Sequence, residues 1–341
     1  MPRDTTSTSP TLEEVAALAG VSRSTVSRVV NLSPHVTDEA VLAVQDAIGR
    51  LGYVPNRAAR SLASRKTHVV ALVVPESTAK VFADPFFASV VQGVAIFLAD
   101  TDYTLNLLIA SETDSNKTKR YLLGGNVDGA LVVSHHSGDH SFANISQNLP
   151  VVFGGRPLLE DIIDSYYVDV DNSHGARVAT QQLIEAGCQR IATITGRLDM
   201  PPGVDRLSGW LAVVRGAGLG DDLIEQGDFT IAGATEAMRR ILDRDPSVDG
   251  VFAASDQMAA GALAALRERG LRVPEDVSIV GFDGDYFSET SSPPLTTVAQ
   301  PASALGAKMA EVLVDLMAGR DVERVTIMPT ELIIRGSTRT P

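Results

Sequence analysis

The sequence predicts an α/β protein: a small N-terminal three-helix helix-turn-helix domain followed by a much larger region of doubly wound parallel sheets. Three observations predict it. Thr11 to Asn31, TLEEVAALAGVSRSTVSRVVN, holds two short amphipathic segments joined at Gly20-Val21. From Val69 onward, short apolar β-branched runs alternate with helical stretches and lack the polar alternation of half-exposed strands. A chain of 341 residues, 44% hydrophobic and 21% charged, exceeds one ordinary domain and can bury more than one core.

In the first segment Thr11 precedes Leu12, Val15, Ala16 and Ala19 and has Glu14 three residues on, the layout of a capping box. Gly20 supplies the turn. Ser22 caps a second helix whose inner face is Val26, Val29 and Val30, leaving Arg23, Ser24, Ser27 and Arg28 outward. In a helix-turn-helix the first residues of the second helix contact base edges in the major groove, so this face points to duplex DNA. Thr11, Ser22, Thr25 and Asn31 complete the candidate interface. Thr37 and Asp38-Glu39 open a third helix, with Val41, Val44, Ile48 and Leu51 inward and Gly52 at its end. Pro55 breaks the chain, and Asn56 can cap a polar linker, Arg57 to Ala63, that includes Ala59 and one exposed leucine, Leu62.

Strands are predicted at residues 68–74, 105–109, 129–133, 151–153, 190–194, 250–254 and 277–282, with helices such as 87–100, 175–186 and 259–269 between them. About 275 residues is too many for one such sheet, which predicts two similar lobes.

The net charge of −13 is opposite in sign to that of a typical DNA-binding surface, but it is polarised. Residues 1–66 hold eight Lys/Arg against six Asp/Glu, so residues 67–341, with 21 against 36, carry −15. One small module meets phosphate and a large acidic one stays away from it, so affinity needs dimerisation. Cys188 is the only cysteine, which excludes a disulfide framework or thiolate cluster and fits a reducing cytoplasm. No signal-like apolar segment and no run of about twenty apolar residues is present, which argues against export or membrane spanning. Without export, the sequon at Asn144 is chance.

TVSRVVN at residues 25–31 and GYVPNRAARSLAS at 52–64 closely resemble the headpiece of the lactose/galactose repressor family of bacterial regulators, and the resemblance runs along essentially the whole chain. It implies that the linker at 56–64 becomes a helix on DNA and pushes Leu62 into the minor groove. It also implies a periplasmic-binding-protein-like core that crosses between its lobes three times, near 167–171, 298–300 and 327–329. The expected divisions are 1–66 for the headpiece, 67–168 with 299–326 for the first lobe, and 169–298 with 327–341 for the second.

Ligands of open α/β sheets sit beyond the carboxyl ends of the strands, which selects Asp84, Phe86, Ser134, His135, Arg156, Phe229, Ser255 and Asp283. The loop from Gly196 to Arg206 adds Met200 and Arg206. RLSGW at 206–210 matches the family's Arg-Leu-x-Gly-aromatic motif, whose arginine binds the effector, and a guanidinium fork suits paired hydroxyls or a carboxylate. Purine repressors place a second arginine where this chain has Met200, which favours a neutral carbohydrate over a nucleobase or nucleoside. Residues 81–87 and 152–157 further resemble actinobacterial regulators of cellobiose-type oligosaccharides.

Other eye-catching residues carry less. Asp256 reads as a helix N-cap. His135, His136, Asp139 and His140 lack helical ligand spacing, so no metal is expected. Trp210 reads as core, Cys188 as inert, and Gly124-Gly125 as a turn, not a phosphate loop. No nucleophile–base or zinc pattern supports an enzyme, and no cofactor is expected. An exported sugar-binding protein would share the core but lack the headpiece. The remaining expectation is a cytoplasmic, homodimeric repressor of a palindromic operator, released by a small sugar. No leucine heptad follows the core, so nothing beyond a dimer is expected.

Overall fold

The computed structural model describes residues 10–30, 33–54, 66–110, 115–137, 145–157 and 165–340. It contains two compact units, Met1–Thr67 and His68–Pro341.

In the first unit, α1 (Leu12–Ala19), α2 (Arg23–Val30) and α3 (Asp38–Leu51) surround a core of Val15, Ala16, Val26, Val29, Val44, Ala47 and Tyr53. The caps are those the sequence predicts. Thr11 and Glu14 form the reciprocal capping box, Ser22 Oγ accepts from Thr25 N at 3.1 Å, and Thr37 Oγ1 accepts from Ala40 N at 3.4 Å. Gly20 and Gly52 both end helices in the left-handed conformation, which costs glycine little. Tyr53 joins this core although no periodic pattern marks it.

The second unit holds two six-stranded sheets. The first lobe is built from β1 (Val69–Val74), α4 (Thr78–Ala83), α5 (Pro85–Ala99), β2 (Thr104–Ile109), α6 (Ser115–Tyr121), β3 (Gly129–Val133), β4 (Val151–Gly154) and β5 (Tyr166–Val170). The chain then enters the second lobe through α7 (Asn172–Glu185), β6 (Ile191–Thr195), α8 (Pro201–Gly216), β7 (Ile224–Gln226), α9 (Ile231–Arg244) and β8 (Gly250–Ala253). That lobe continues with α10 (Asp256–Glu268), β9 (Ser278–Asp283), α11 (Tyr286–Thr290) and β10 (Thr296–Ala299). α12 (Ala302–Met317) returns to pack on α5, β11 (Val325–Met328) joins the first sheet, and β12 (Glu331–Ile333) joins the second.

Strand orders are β11-β5-β4-β3-β1-β2 and β12-β10-β9-β8-β6-β7, parallel throughout except for the antiparallel β10–β12 pair. Central strands β1, β3, β6 and β8 are apolar and almost wholly buried because helices cover both faces. The returning α12 meets α5 through two glycines. A Cβ on Gly93 would stand 1.8 Å from Ser303 O and one on Gly306 2.2 Å from Val90 O, so only glycine lets these backbones touch.

Candidate functional site

The second unit carries a cleft at the carboxyl ends of both sheets, where parallel strands leave unpaired loops. It encloses about 730 Å³, mouth included, within the range of small-molecule sites. Asp84, Phe86, Ser134, His135, Met200, Arg206, Phe229 and Asp283 all line it, although they come from segments spread over two hundred residues.

On the first lobe, Asp84 is also the N-cap of α5: its Oδ1 accepts from Phe86 N at 3.0 Å, and Pro85 takes the first helical position. Its Oδ2 has no partner among the described residues, and burial pushes the carboxyl above its ordinary range. Phe86 meets Phe87 edge-on, ring centroids 5.6 Å apart. His135 is buried edge-on against Phe153 at 5.4 Å, with Nε2 3.2 Å from Arg156 O.

On the second lobe Arg206 is 3% exposed, and it lies in the second turn of α8, not at the end of a loop. Its Nε donates to Asn172 Oδ1 at 2.8 Å and its Nη1 to Ala254 O at 2.6 Å and Asp283 Oδ1 at 3.4 Å. Its guanidinium stacks 3.6 Å from the Phe282 ring centroid. Four restraints therefore aim one planar group, and Nη2 is left without a partner among the described residues. Burial disfavours this cation and lowers its pKa, and Asp283 and Asp169 only partly offset that penalty.

Asp283 accepts from Gln300 Nε2 at 2.7 Å, and its Oδ2 is likewise uncommitted. Burial raises its pKa strongly, Arg206 opposing and Asp84 and Asp285 reinforcing. Its φ of 118°, with 65° at Ser134 and 56° at Phe229, places three cleft residues in conformations that L side chains rarely adopt. Gly196 makes room for the Phe229 ring, which would lie 1.9 Å from a Cβ there.

Two expected site residues are elsewhere. Arg156 directs its side chain to Asp205 at 2.8 and 3.1 Å, tying the two lobes together, while the preceding Gly154 and Gly155 reach the cleft wall. Ser255 spends its hydroxyl capping α10 at Met258 N, 3.1 Å away. The cap is thus Ser255 and not Asp256, whose carboxylate instead accepts from Gly284 N, Asp285 N and Thr297 Oγ1. Sequence reasoning missed Lys80, Asp169, Asn172 and Gln300, which also line the cleft. The last three sit on or beside lobe crossings, and a crossing segment necessarily runs under a cleft between lobes.

In the helical unit Arg23, Ser24 and Arg28 are exposed on α2. Arg23 Nε pairs with Glu13 at 3.1 Å, and Ser22 Oγ gathers the hydroxyls of Ser24 and Thr25, each at 2.8 Å. Ser27 is half-buried on the same helix, and Thr11 is exposed at the start of α1. Asn31, Asn56, Arg57, Ala59 and Leu62, together with Asp139 and His140, lie outside the described residues. Among the described residues, no group of three His, Cys, Asp or Glu side chains could hold a metal ion. No described helix is long and apolar enough to cross a membrane.

Residues 11–56 match the family of bacterial regulatory proteins, lacI family, and residues 180–338 match the periplasmic binding protein-like domain. The HTH-type transcriptional regulator CelR of Thermobifida fusca is 47% identical over 333 residues, covering 96% of this chain and 98% of the relative. A solved transcriptional regulator CelR–cellobiose complex superposes with a TM-score of 0.76 at 45% identity, covering 96% of this chain and 99% of that one. The lac repressor dimer bound to operator and the anti-inducer ONPF gives 0.86 at 26% identity, covering 97% and 100%. With both units matched and the likeness running the length of the chain, this protein belongs to the lacI family of bacterial regulatory proteins.

Proposed function

We propose that the protein is a dimeric, sequence-specific repressor of carbohydrate-utilisation genes, which leaves its operator when a neutral oligosaccharide fills the cleft. One observation carries the ligand class. Asp84 Oδ2, Asp283 Oδ2 and Arg206 Nη2 offer two acceptors and one donor beside the faces of Phe86, Phe87 and Phe229. Hydroxyls need that polar pairing, and pyranose faces need those apolar surfaces. The solved CelR–cellobiose complex supports a β-linked disaccharide as the first candidate.

In this reading residues 1–66 form the headpiece, with Arg23 and Ser24 toward the bases, Arg28 mainly fixing position, and Ser27, Thr11, Ser22, Thr25 and Asn31 around them. Residues 56–64, including Asn56, Arg57, Ala59 and Leu62, form the hinge helix. The two effector lobes are residues 67–170 with 300–328 and 171–299 with 329–341, within two residues of the expected 67–168 with 299–326 and 169–298 with 327–341, because β5 and β11 belong wholly to the first sheet and β10 to the second. The protein works in the cytoplasm beside its DNA and performs no chemical step. The sugar acts through unequal affinity for two lobe arrangements, since equal affinity would shift nothing.

Calorimetric titration of the full-length protein with mono- and disaccharides, nucleosides and bases, paired with gel shifts on its own promoter, tests this. Saturable binding of cellobiose that dissolves the DNA complex is the expected result. Saturable binding only to a nucleoside or base would overturn the sugar reading and leave the repressor reading standing.

A further inference from the structure

At the cleft one imidazole stands between carboxylates of different lobes. His136, just after β3, places Nε2 3.2 Å from Glu76 Oε1 on its own lobe and Nδ1 3.1 Å from Asp199 Oδ2 on the loop after β6 of the other. A neutral imidazole has one N–H and one lone pair. Either tautomer therefore turns a lone pair onto a carboxylate oxygen, and only the imidazolium donates to both. A backbone bond runs alongside, from Ser137 N to Asp199 O at 2.9 Å. We propose that Glu76, His136 and Asp199 form a proton-held clasp across the cleft, so that pH and effector act on one closing equilibrium. Its effector half rests on the reading of the cleft as a sugar site.

The surrounding charges are accounted for. Glu76 Oε1 also accepts from Lys80 Nζ at 2.8 Å and Ser134 Oγ at 2.7 Å, while Arg197 holds Asp199 at 2.7 and 2.9 Å and faces Asp228 at 3.7 Å. The cations nearest the ring are thus already paired. The bond to Glu76 raises the imidazole above its ordinary 6.5, burial opposes, and Asp199 reinforces. Burial alone would raise Glu76, but donation by His136, Lys80 and Ser134 outweighs it and holds the carboxyl at about 2. Donation by Arg197 holds Asp199 at about 2 as well. Both stay ionised wherever the ring titrates.

Opening removes Asp199, so the open form binds the proton less tightly. Closure is therefore favoured at low pH and loses that advantage as pH rises through the ring's value in the closed form. Each unit by which closing raises that value is worth about tenfold in the closing constant. Lys80 and Ser134, which share Glu76 with the ring, line the cleft, so loss of the ring proton also loosens its wall.

The full-length protein without effector provides the test. Histidine-labelled protein titrated by NMR, with His136 assigned through His136→Gln, is expected to show His136 above 6.5 and falling in Asp199→Asn. Hydrogen exchange of the Ser137 amide, corrected for its chemical rate, is expected to lose protection as pH passes that value. A His136 value at or below 6.5, one that Asp199→Asn leaves in place, or Ser137 protection that ignores the titration overturns the clasp. The wild-type profiles decide even if a variant fails to fold. Cellobiose affinity should fall more steeply between pH 6 and 8.5 in the wild type than in His136→Gln, where the cleft carboxyls of Asp283 and Asp84 alone still titrate. Absence of cellobiose binding at every pH defeats the sugar reading alone.

Discussion

Arg23 and Arg206 are the same side chain put to opposite uses. The Arg23 side chain is 73% exposed and holds a single ion pair, with Glu13, which is itself 60% exposed. Such a pair is worth little, about 0–1 kcal/mol, and is exchanged readily for a phosphate or a guanine edge. Arg206 is buried, stacked on Phe282 and bonded to Asn172 and Ala254 before any ligand arrives. A surface that must sample many DNA sequences needs a donor whose native partner is cheap to leave. A cleft that must recognise one small molecule needs a donor whose orientation is already fixed.

Breaking the buried end of this comparison should have the largest effect. Arg206→Ala is expected to weaken effector binding by about 2–5 kcal/mol, because Asp283 loses its charged partner, while operator binding stays intact. Calorimetry and gel shifts on the same preparation check both halves. At the exposed end, exchanging Arg23 and Ser24 should move the preferred operator bases at roughly 1–3 kcal/mol per contact, and binding-site selection reads the new consensus. An unchanged consensus would remove α2 from base readout.

A third test uses pH. Asp283 has a raised pKa, so its folded form holds the proton more tightly than the unfolded chain does, and stability falls as pH rises above the ordinary aspartate value. Asp283→Asn should therefore raise the thermal midpoint more at pH 8 than at pH 5 while abolishing the effector response. Equal shifts at both pH values would argue against the strain. The smallest effect belongs to Ser255→Ala, which should cost about 1 kcal/mol of stability by chemical denaturation and leave effector affinity unchanged, as befits a helix cap.

Legibility followed the same division between local and long-range determinants. The caps of the helical unit were readable because a cap is a contact within three residues. Buried strands such as Gly129–Val133 were readable because an apolar run has no other soluble use. β5, with two half-buried tyrosines and Asp169 inside it, was not, nor were the short strands β7, β10, β11 and β12, whose Glu, Gln and Thr residues interrupt the apolar run that marks equally short β4 and β8. Arg156 and Ser255 follow strands yet turn their side chains to other partners, because position after a strand says where a residue is and not where its side chain goes. Asp205 and Met258 N, their actual partners, are visible only in three dimensions.

The late return of the chain has a consequence for how the protein is made. β5 gains its outer neighbour β11 only after the entire second sheet but β12 has been synthesised, and α12, which covers α5, arrives just before it. The lobe that is begun first is therefore completed only a few residues before the second. Until then Tyr166–Val170 is an open edge, able to template pairing with a neighbouring nascent chain. Only two residues separate Met328 of β11 from Glu331 of β12, so one short segment finishes both sheets almost at once. Assembly of the sensor is thereby tied to a single late event in translation.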